Sequence, residues 1–366
     1  MAERVINFSP GPSTLPLPVL QQAQRDLVSL PNVGASPLEI SHRGAWFTSV
    51  IEEAEENLRT LLVVPADYRV LFCQGGATMQ FAMSAMNFLP GAGRPAEFVV
   101  TGAWGERAAR EAGKVGPVRV AWTDRDDGFR RTPTDEELRR ELSGGVAYVH
   151  VTTNETIHGV EFADTPGAPE GVPLVADASS DFLSRPVDIG AHGLLYAGAQ
   201  KNAGPAGVTV VLVRDDLLSR IPEGLPAMLD YRTYVEHRSM YNTPPVFAIY
   251  VLMLVTRWLR DEIGGLEAMA AINRDKAAML YEVLDADPGF YRGHADPGSR
   301  SLMNVTFRLP TTELESAFLA RAAKQGMVEL KGHRSVGGIR ASIYNAMTRD
   351  SVETLAAFMR GFRAGS

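Results

Sequence analysis

The segment Leu194-Leu-Tyr-Ala-Gly-Ala-Gln200-Lys201-Asn-Ala-Gly204-Pro-Ala-Gly207-Val-Thr-Val-Val-Leu-Val213 decides the fold of this 366-residue chain. Leu194–Ala197 and Val208–Val213 are short apolar runs, and the glycine-rich turn between them is too short for a helical crossover. Strands joined without a crossover pair antiparallel, so an antiparallel edge is expected here. Upstream the pattern differs. Helical periodicity over Ser49–Val63, Thr78–Leu89 and Thr134–Leu142 alternates with strand-like runs at Arg69–Cys73, Glu97–Thr101, Val146–Val151 and Pro173–Ala176. Short apolar runs separated by helices define βαβ units and a mostly parallel sheet buried on both faces.

Downstream, a helix over Val246–Leu259 leaves this lobe, Gly264-Gly265 breaks it, and a second helix covers Glu267–Leu284. A strand (Met303–Arg308), a helix (Glu313–Gln325), two strands (Val328–Leu330, Ile339–Ser342) and a closing helix (Ser351–Phe362) suit a small α+β lobe. The length exceeds one ordinary core. Residues 16–258 are expected to form the large domain, and 1–15 with 259–366 the small one.

Composition narrows the function classes. A hydrophobic content of 45% with 22% charged residues is that of a globular protein. The net charge of −7 opposes non-specific nucleic-acid or anionic-membrane binding, which need a positive field. One cysteine, Cys73, cannot form an internal disulfide, and its apolar setting Val70-Leu71-Phe72 reads as a buried thiol. Glu3 and Arg4 with no apolar stretch argue against a leader. The longest apolar runs, Val208–Val213 and Tyr250–Val255, are far below membrane-span length. The expectation is a cytoplasmic enzyme.

Lys201 stands in a niche of small residues that let another group approach the backbone. A desolvated lysine has a lowered pKa and can form a Schiff base with an aldehyde. The run Pro173-Leu-Val-Ala-Asp177 ends a second strand in an acid. Ligands of doubly wound sheets sit at the carboxyl ends of strands, which places Asp177 beside Lys201. Pyridoxal 5′-phosphate (PLP) needs such a carboxylate at its pyridine nitrogen; an ordinary helix cap is the plainer alternative for the acid alone. Gln74-Gly75-Gly76-Ala77-Thr78 is a glycine turn opening a helix, whose N–H groups could hold a phosphate. Trp104, just past a strand end, could stack on a ring or serve as core. Gly91-Ala-Gly93 imitates a dinucleotide fingerprint but follows a helix and precedes a strand, the reverse of that site. No phosphate-loop motif or zinc-spaced Cys/His cluster is present, and no metal is expected.

Longer motifs then line up in order: Asn7-Phe-Ser9-Pro-Gly-Pro12, Ser41-His42-Arg43, Gly75-Gly76-Ala77, Asn154-Glu-Thr156-Ile-His-Gly159, Ala176-Asp177, Ala197-Gly-Ala-Gln200-Lys201-Asn202, Tyr241-Asn242-Thr243-Pro-Pro245 and Gly332-His333-Arg334 through Arg340 to Tyr344-Asn345. Nearly end to end, the chain resembles the fold-type I, class V PLP-dependent aminotransferases. The resemblance implies an α/β fold with a large domain built on a mostly parallel seven-stranded sheet between helices, plus a smaller α+β C-terminal domain. It implies that Lys201 holds the cofactor covalently, Asp177 binds the pyridinium nitrogen, Trp104 stacks on the ring and Thr156 meets its phenolic oxygen. Ala77, Thr78 and Gln200 would contact the cofactor phosphate, joined by Asn242 and Thr243 from the second subunit of a homodimer with shared active sites. Arg340 would hold the substrate α-carboxylate. His42, Arg43, His333 and Arg334 would surround the distal anion, with Ser9 at the entrance. Some members carry an arginine where Thr78 stands, which leaves one cation fewer for a substrate phosphate.

The implied reaction moves an amino group between glutamate and 3-phosphohydroxypyruvate, giving phosphoserine and 2-oxoglutarate; the sequence leaves open whether the related 4-phosphohydroxythreonine step of pyridoxine synthesis is served as well. The neighbouring alternative is a class V enzyme acting on serine or alanine with glyoxylate or pyruvate. A cysteine desulfurase would need its cysteine on a late loop rather than at Cys73. A regulator that kept the fold but lost turnover has no reason to retain Lys201, Asp177 and Arg340 together.

Overall fold

The computed structural model describes residues 4–365; Glu3, used above against a leader, and Ser366 lie outside the described residues. Seven strands form the large sheet, numbered here in chain order: β1 (Tyr68–Cys73), β2 (Ala96–Val100), β3 (Val118–Thr123), β4 (Val149–Thr152), β5 (Leu174–Asp177), β6 (Leu194–Gly198) and β7 (Thr209–Arg214). Their spatial order is β1-β7-β6-β5-β4-β2-β3. All neighbours are parallel except β7, which runs antiparallel to both β1 and β6. The antiparallel pairing expected from the opening segment is therefore present, but not at an edge. β7 is inserted between β1 and β6, and β1 is the outer strand. A strand with Val-Val-Leu-Val facing both ways would waste apolar surface at a rim, and the sheet buries it instead.

Alternate residues of each strand feed two different cores. Val70, Phe72, Val210 and Leu212 pack on one side, against the helices Ala45–Leu62 and Val246–Trp258. Leu71, Cys73, Val211 and Val213 pack on the other, with the helices Gly76–Phe88 and Ala103–Ala112. The Val246–Trp258 helix is buried over nine consecutive positions, which is why it is apolar all round rather than striped. It passes into a π-turn, Leu259–Ile263, that Gly264 ends with φ of 88°. No helix among the described residues is long and apolar enough to cross a membrane.

A third core gathers Phe8, Leu280, Phe307, Phe318, Ile339 and Phe358. Around it lie the helices Leu266–Ala286, Thr312–Lys324 and Arg349–Ala364 and an antiparallel sheet of Arg292–Gly293, Asn304–Arg308 and Ile339–Ser342. The N-terminal segment joins this part, because Ile6–Asn7 pairs in parallel with Met327–Val328.

Candidate active site

Asp177 ends β5, opposite Tyr196 of β6, and Lys201 follows the end of β6. Both open at the carboxyl ends of adjacent strands. Asp177 is buried, and that burial pushes its carboxyl up to about 6, against the opposing hydrogen bonds of Ser179. Ser179 N and Oγ both donate to Oδ1, at 3.0 and 2.6 Å. Oδ2 is left without a donor among the described residues. Ser179 Oγ accepts from Gly198 N at 3.0 Å, which ties the acid to the end of β6.

Lys201 is half-buried, and its Nζ donates to the Pro10 carbonyl at 2.6 Å. Burial first, then the charge of Arg340, lowers its pKa to about 8, with Asp177 pulling the other way. The Pro10 segment must come very close. Gly11 has φ of +145°, and a Cβ there would stand 2.9 Å from Lys201 Cδ and Cε, so glycine alone fits. Ser13 N donates to the Gln200 carbonyl at 3.0 Å and Ser13 Oγ to that of Lys201.

Arg340 lies on the strand Ile339–Ser342, opposite Thr306. It is 7% exposed, its Nε has no hydrogen-bond partner, and no carboxylate pairs with it among the described residues. Burial holds its pKa below the ordinary guanidinium range. A desolvated cation without a counter-ion is costly unless a ligand supplies one. His333, half-buried, bonds Ser335 Oγ through Nδ1 at 2.7 Å. Burial, with the charges of Arg340 and Arg334, lowers its basicity. Arg334 itself is exposed.

Ala77 and Thr78 occupy the first turn of the helix Gly76–Phe88, which starts at Gly75 with φ of 90° and has no side-chain cap. The N–H groups of Gly76, Ala77 and Thr78 find no acceptor among the described residues. Such a free helix start is a ready anion cradle. Gln200 is half-buried beside Lys201. Trp104 is half-buried in the first turn of the helix Ala103–Ala112, just past the end of β2 as expected, with the Arg107 guanidinium 5.7 Å from its ring. Thr156 is buried next to the Tyr344 hydroxyl. Ser9 sits on the Pro10 segment, its Oγ accepting from Gly11 N at 3.4 Å.

Two pairs are not bonded to this cluster. Arg43 Nε donates to His42 Nε2 at 3.4 Å, and no hydrogen bond or ion pair joins either residue to Lys201, Asp177 or Arg340. Asn242 and Thr243 are exposed.

Several supporting residues were not singled out from sequence. Tyr344 Oη donates to the same Pro10 carbonyl as Lys201, at 2.8 Å. Asn345 N donates to Asn202 Oδ1 at 2.9 Å, and Asn273 Nδ2 donates to Asn345 Oδ1 at 2.9 Å. Lys276, fully buried, spends its three protons on the carbonyls of Ile343, Tyr344 and Met347 at 2.9, 2.8 and 3.0 Å. Tyr344, Asn345 and Asn202 lay inside quoted motifs. Lys276 gave no sign beyond sharing a helical stripe with Asn273, Ala277 and Leu280.

A lysine with lowered pKa, a buried acid with a free oxygen, an uncapped helix start and an unpaired buried arginine together fit PLP and an amino-acid carboxylate. The chain belongs to the class-V aminotransferase family, whose profile (Aminotransferase class-V) matches residues 5–355. Within that family it is 51% identical over 360 residues to the phosphoserine aminotransferase of Rhodopirellula baltica, covering 98% of this chain and 95% of that protein. The structure of phosphoserine aminotransferase from Bacillus circulans subsp. alkalophilus superposes with a TM-score of 0.96 at 49% identity, covering 100% and 99% of the two chains. The PLP-bound phosphoserine aminotransferase of Trichomonas vaginalis gives a TM-score of 0.91 at 37% identity over 98% and 100%.

Proposed function

We propose that this chain is a PLP-dependent phosphoserine aminotransferase, moving an amino group reversibly between glutamate and 3-phosphohydroxypyruvate to give 2-oxoglutarate and phosphoserine. The observation that carries the reading is the unpaired, buried Arg340 facing a lysine of lowered pKa. Bound PLP supplies an electron sink for the pair left when the substrate Cα–H bond breaks. Asp177 keeps the pyridine nitrogen protonated, and the amide groups at Gly76–Thr78 hold the phosphate. Arg340 fixes the α-carboxylate bidentately, which sets the Cα–H bond in one orientation. Lys201, as a free amine, carries the proton away from Cα.

His333 and Arg334 supply cations for the distal anion, a γ-carboxylate or a phosphate. His42, Arg43, Asn242 and Thr243, which share no hydrogen bond or ion pair with Lys201, Asp177 or Arg340 of their own chain, fit the second active site of a homodimer. We place the cofactor-binding domain at 16–258 and the small domain at 1–15 with 259–366, supported by the separate third core. A lone buried thiol at Cys73 supports a cytoplasmic location.

The discriminating experiment is kcat/KM for phosphoserine against serine, with 2-oxoglutarate as acceptor. Each charge-assisted bond contributes roughly 1.5–3 kcal/mol, so two or three favour phosphoserine by a factor on the order of thousands. Comparable values for the two substrates refute phospho-specificity and favour a general serine aminotransferase.

A further inference from the structure

The helix Ala103–Ala112, which carries Trp104, lacks a cap of its own. Its N-cap position is Gly102, which offers no side chain to the orphan N–H groups of the first turn. Two of those groups are nevertheless satisfied by a distant side chain. Glu155, wholly buried and 51 residues away in sequence from Trp104, accepts from Trp104 N through Oε2 at 3.0 Å and from Gly105 N through Oε1 at 2.7 Å. These are the second and third residues of the helix, the two amides that an N-cap side chain would serve. The missing side chain at Gly102 is the condition for this arrangement. A Cβ there would collide with Glu155 Cδ and lie 2.6 Å from its Cγ and Oε2. Gly102 is not glycine for backbone reasons, since its φ of 174° is extended and open to any residue.

Glu155 also belongs to the short hairpin Asn154–Glu155/Val160–Glu161 and immediately precedes Thr156. One carboxyl thus fastens the backbone under Trp104 to the backbone of Thr156. On the reading given above, these are the residues that meet the cofactor ring on its face and at its phenolic oxygen.

We propose that Glu155 is a positioning residue for PLP: it caps the Trp104 helix in trans and holds the ring-stacking indole in register with Thr156. The inference rests on the proposed cofactor site, and its test separates the two. The geometry makes a reciprocal claim. A cap can come from residue 155 or from residue 102, but not from both.

The experiment titrates PLP into apoprotein, following visible absorbance and the circular dichroism of the cofactor band, alongside thermal melting of each apoprotein. Failure of the wild-type chain to bind PLP would overturn the site itself. With wild-type binding in hand, Glu155→Ala is expected to weaken PLP about tenfold and to reduce the cofactor-band dichroism. Glu155→Gln should fall between, because its NH2 group faces one of the two amides it must serve. Gly102→Ser alone should also weaken PLP, by driving its side chain into Glu155. The double variant Gly102→Ser with Glu155→Ala should recover binding to within about threefold of wild type, since serine then caps the helix in cis. Additive losses in the double variant overturn the proposal. So does a Glu155→Ala protein that melts lower but binds PLP with unchanged affinity and dichroism, which would make Glu155 structural only.

Discussion

Replacing Arg340 with methionine should separate what the residue does for the fold from what it does for substrate. The guanidinium is buried, its Nε has no partner, and no acid within the described chain offsets its charge. Removing an uncompensated buried charge while keeping volume is neutral or stabilising. The apoprotein's Tm should therefore stay level or rise by roughly a degree or two. Substrate binding moves the other way. A bidentate arginine–carboxylate pair contains two charge-assisted hydrogen bonds, roughly 3–6 kcal/mol together, or a loss on the order of a hundredfold to ten-thousandfold. Because the α-carboxylate is common to all amino acids, the loss must be the same for glutamate and phosphoserine. Single-turnover rates over a range of each substrate, with differential scanning calorimetry of the apoprotein, measure both quantities. A variant that loses glutamate but keeps phosphoserine would show that Arg340 binds the distal group. A Tm several degrees lower would show that the guanidinium has a structural partner after all.

Two further outcomes follow from the same geometry. Burial lowers the Lys201 pKa to about 8, and only its neutral amine attacks an aldehyde, so PLP capture by apoprotein should quicken with a midpoint near pH 8 and level off roughly a unit above; a stopped-flow midpoint near the free-lysine value of about 10.4 would contradict the desolvated niche. Lys276→Met strands three buried carbonyls that now share one ammonium, and should cost roughly 3–5 kcal/mol of stability; an unchanged urea midpoint would show that the turn Ile343–Met347 holds itself.

The parts of this molecule that were legible in sequence are those whose neighbours are close along the chain. The apolar strands at Val149–Thr152, Leu174–Asp177 and Leu194–Gly198 are buried on both faces, so their composition announces them. The strand Val118–Thr123 escaped because it forms the sheet's other edge, opposite β1. Three of its six residues are exposed, and Arg119 interrupts the run to pair with Glu97. The helix Leu17–Asp26 was hidden by Pro16 and Pro18, which read as loop although proline is tolerated in a first turn. The helix Ala103–Ala112 was hidden by Gly102 and Gly105, and its stabilising cap comes from far along the chain. The site shows the same division. Lys201, Asp177 and Arg340 stood out as unusual residues in telling surroundings. Pro10 contributes only a carbonyl, which no side-chain pattern can reveal, and Lys276 looks in sequence like any helical lysine.

The reversed strand β7 has a consequence for ligand shape. Because it runs against its neighbours, it brings its N-terminal end, Thr209, into one row with Cys73 of β1 and Gly198 of β6. It occupies a place in the sheet while sending no loop of its own from a carboxyl end toward the crevice. The glycine turn after β1 and the lysine after β6 are thereby held two strand widths apart, roughly 10 Å, and the acid of β5 one width further on. That interval comes in steps of a whole strand and is indifferent to loop length. Substitutions in the loops can alter which substrate enters, but an elongated ligand with its anion at one end and its basic nitrogen at the other meets the same fixed interval in every variant.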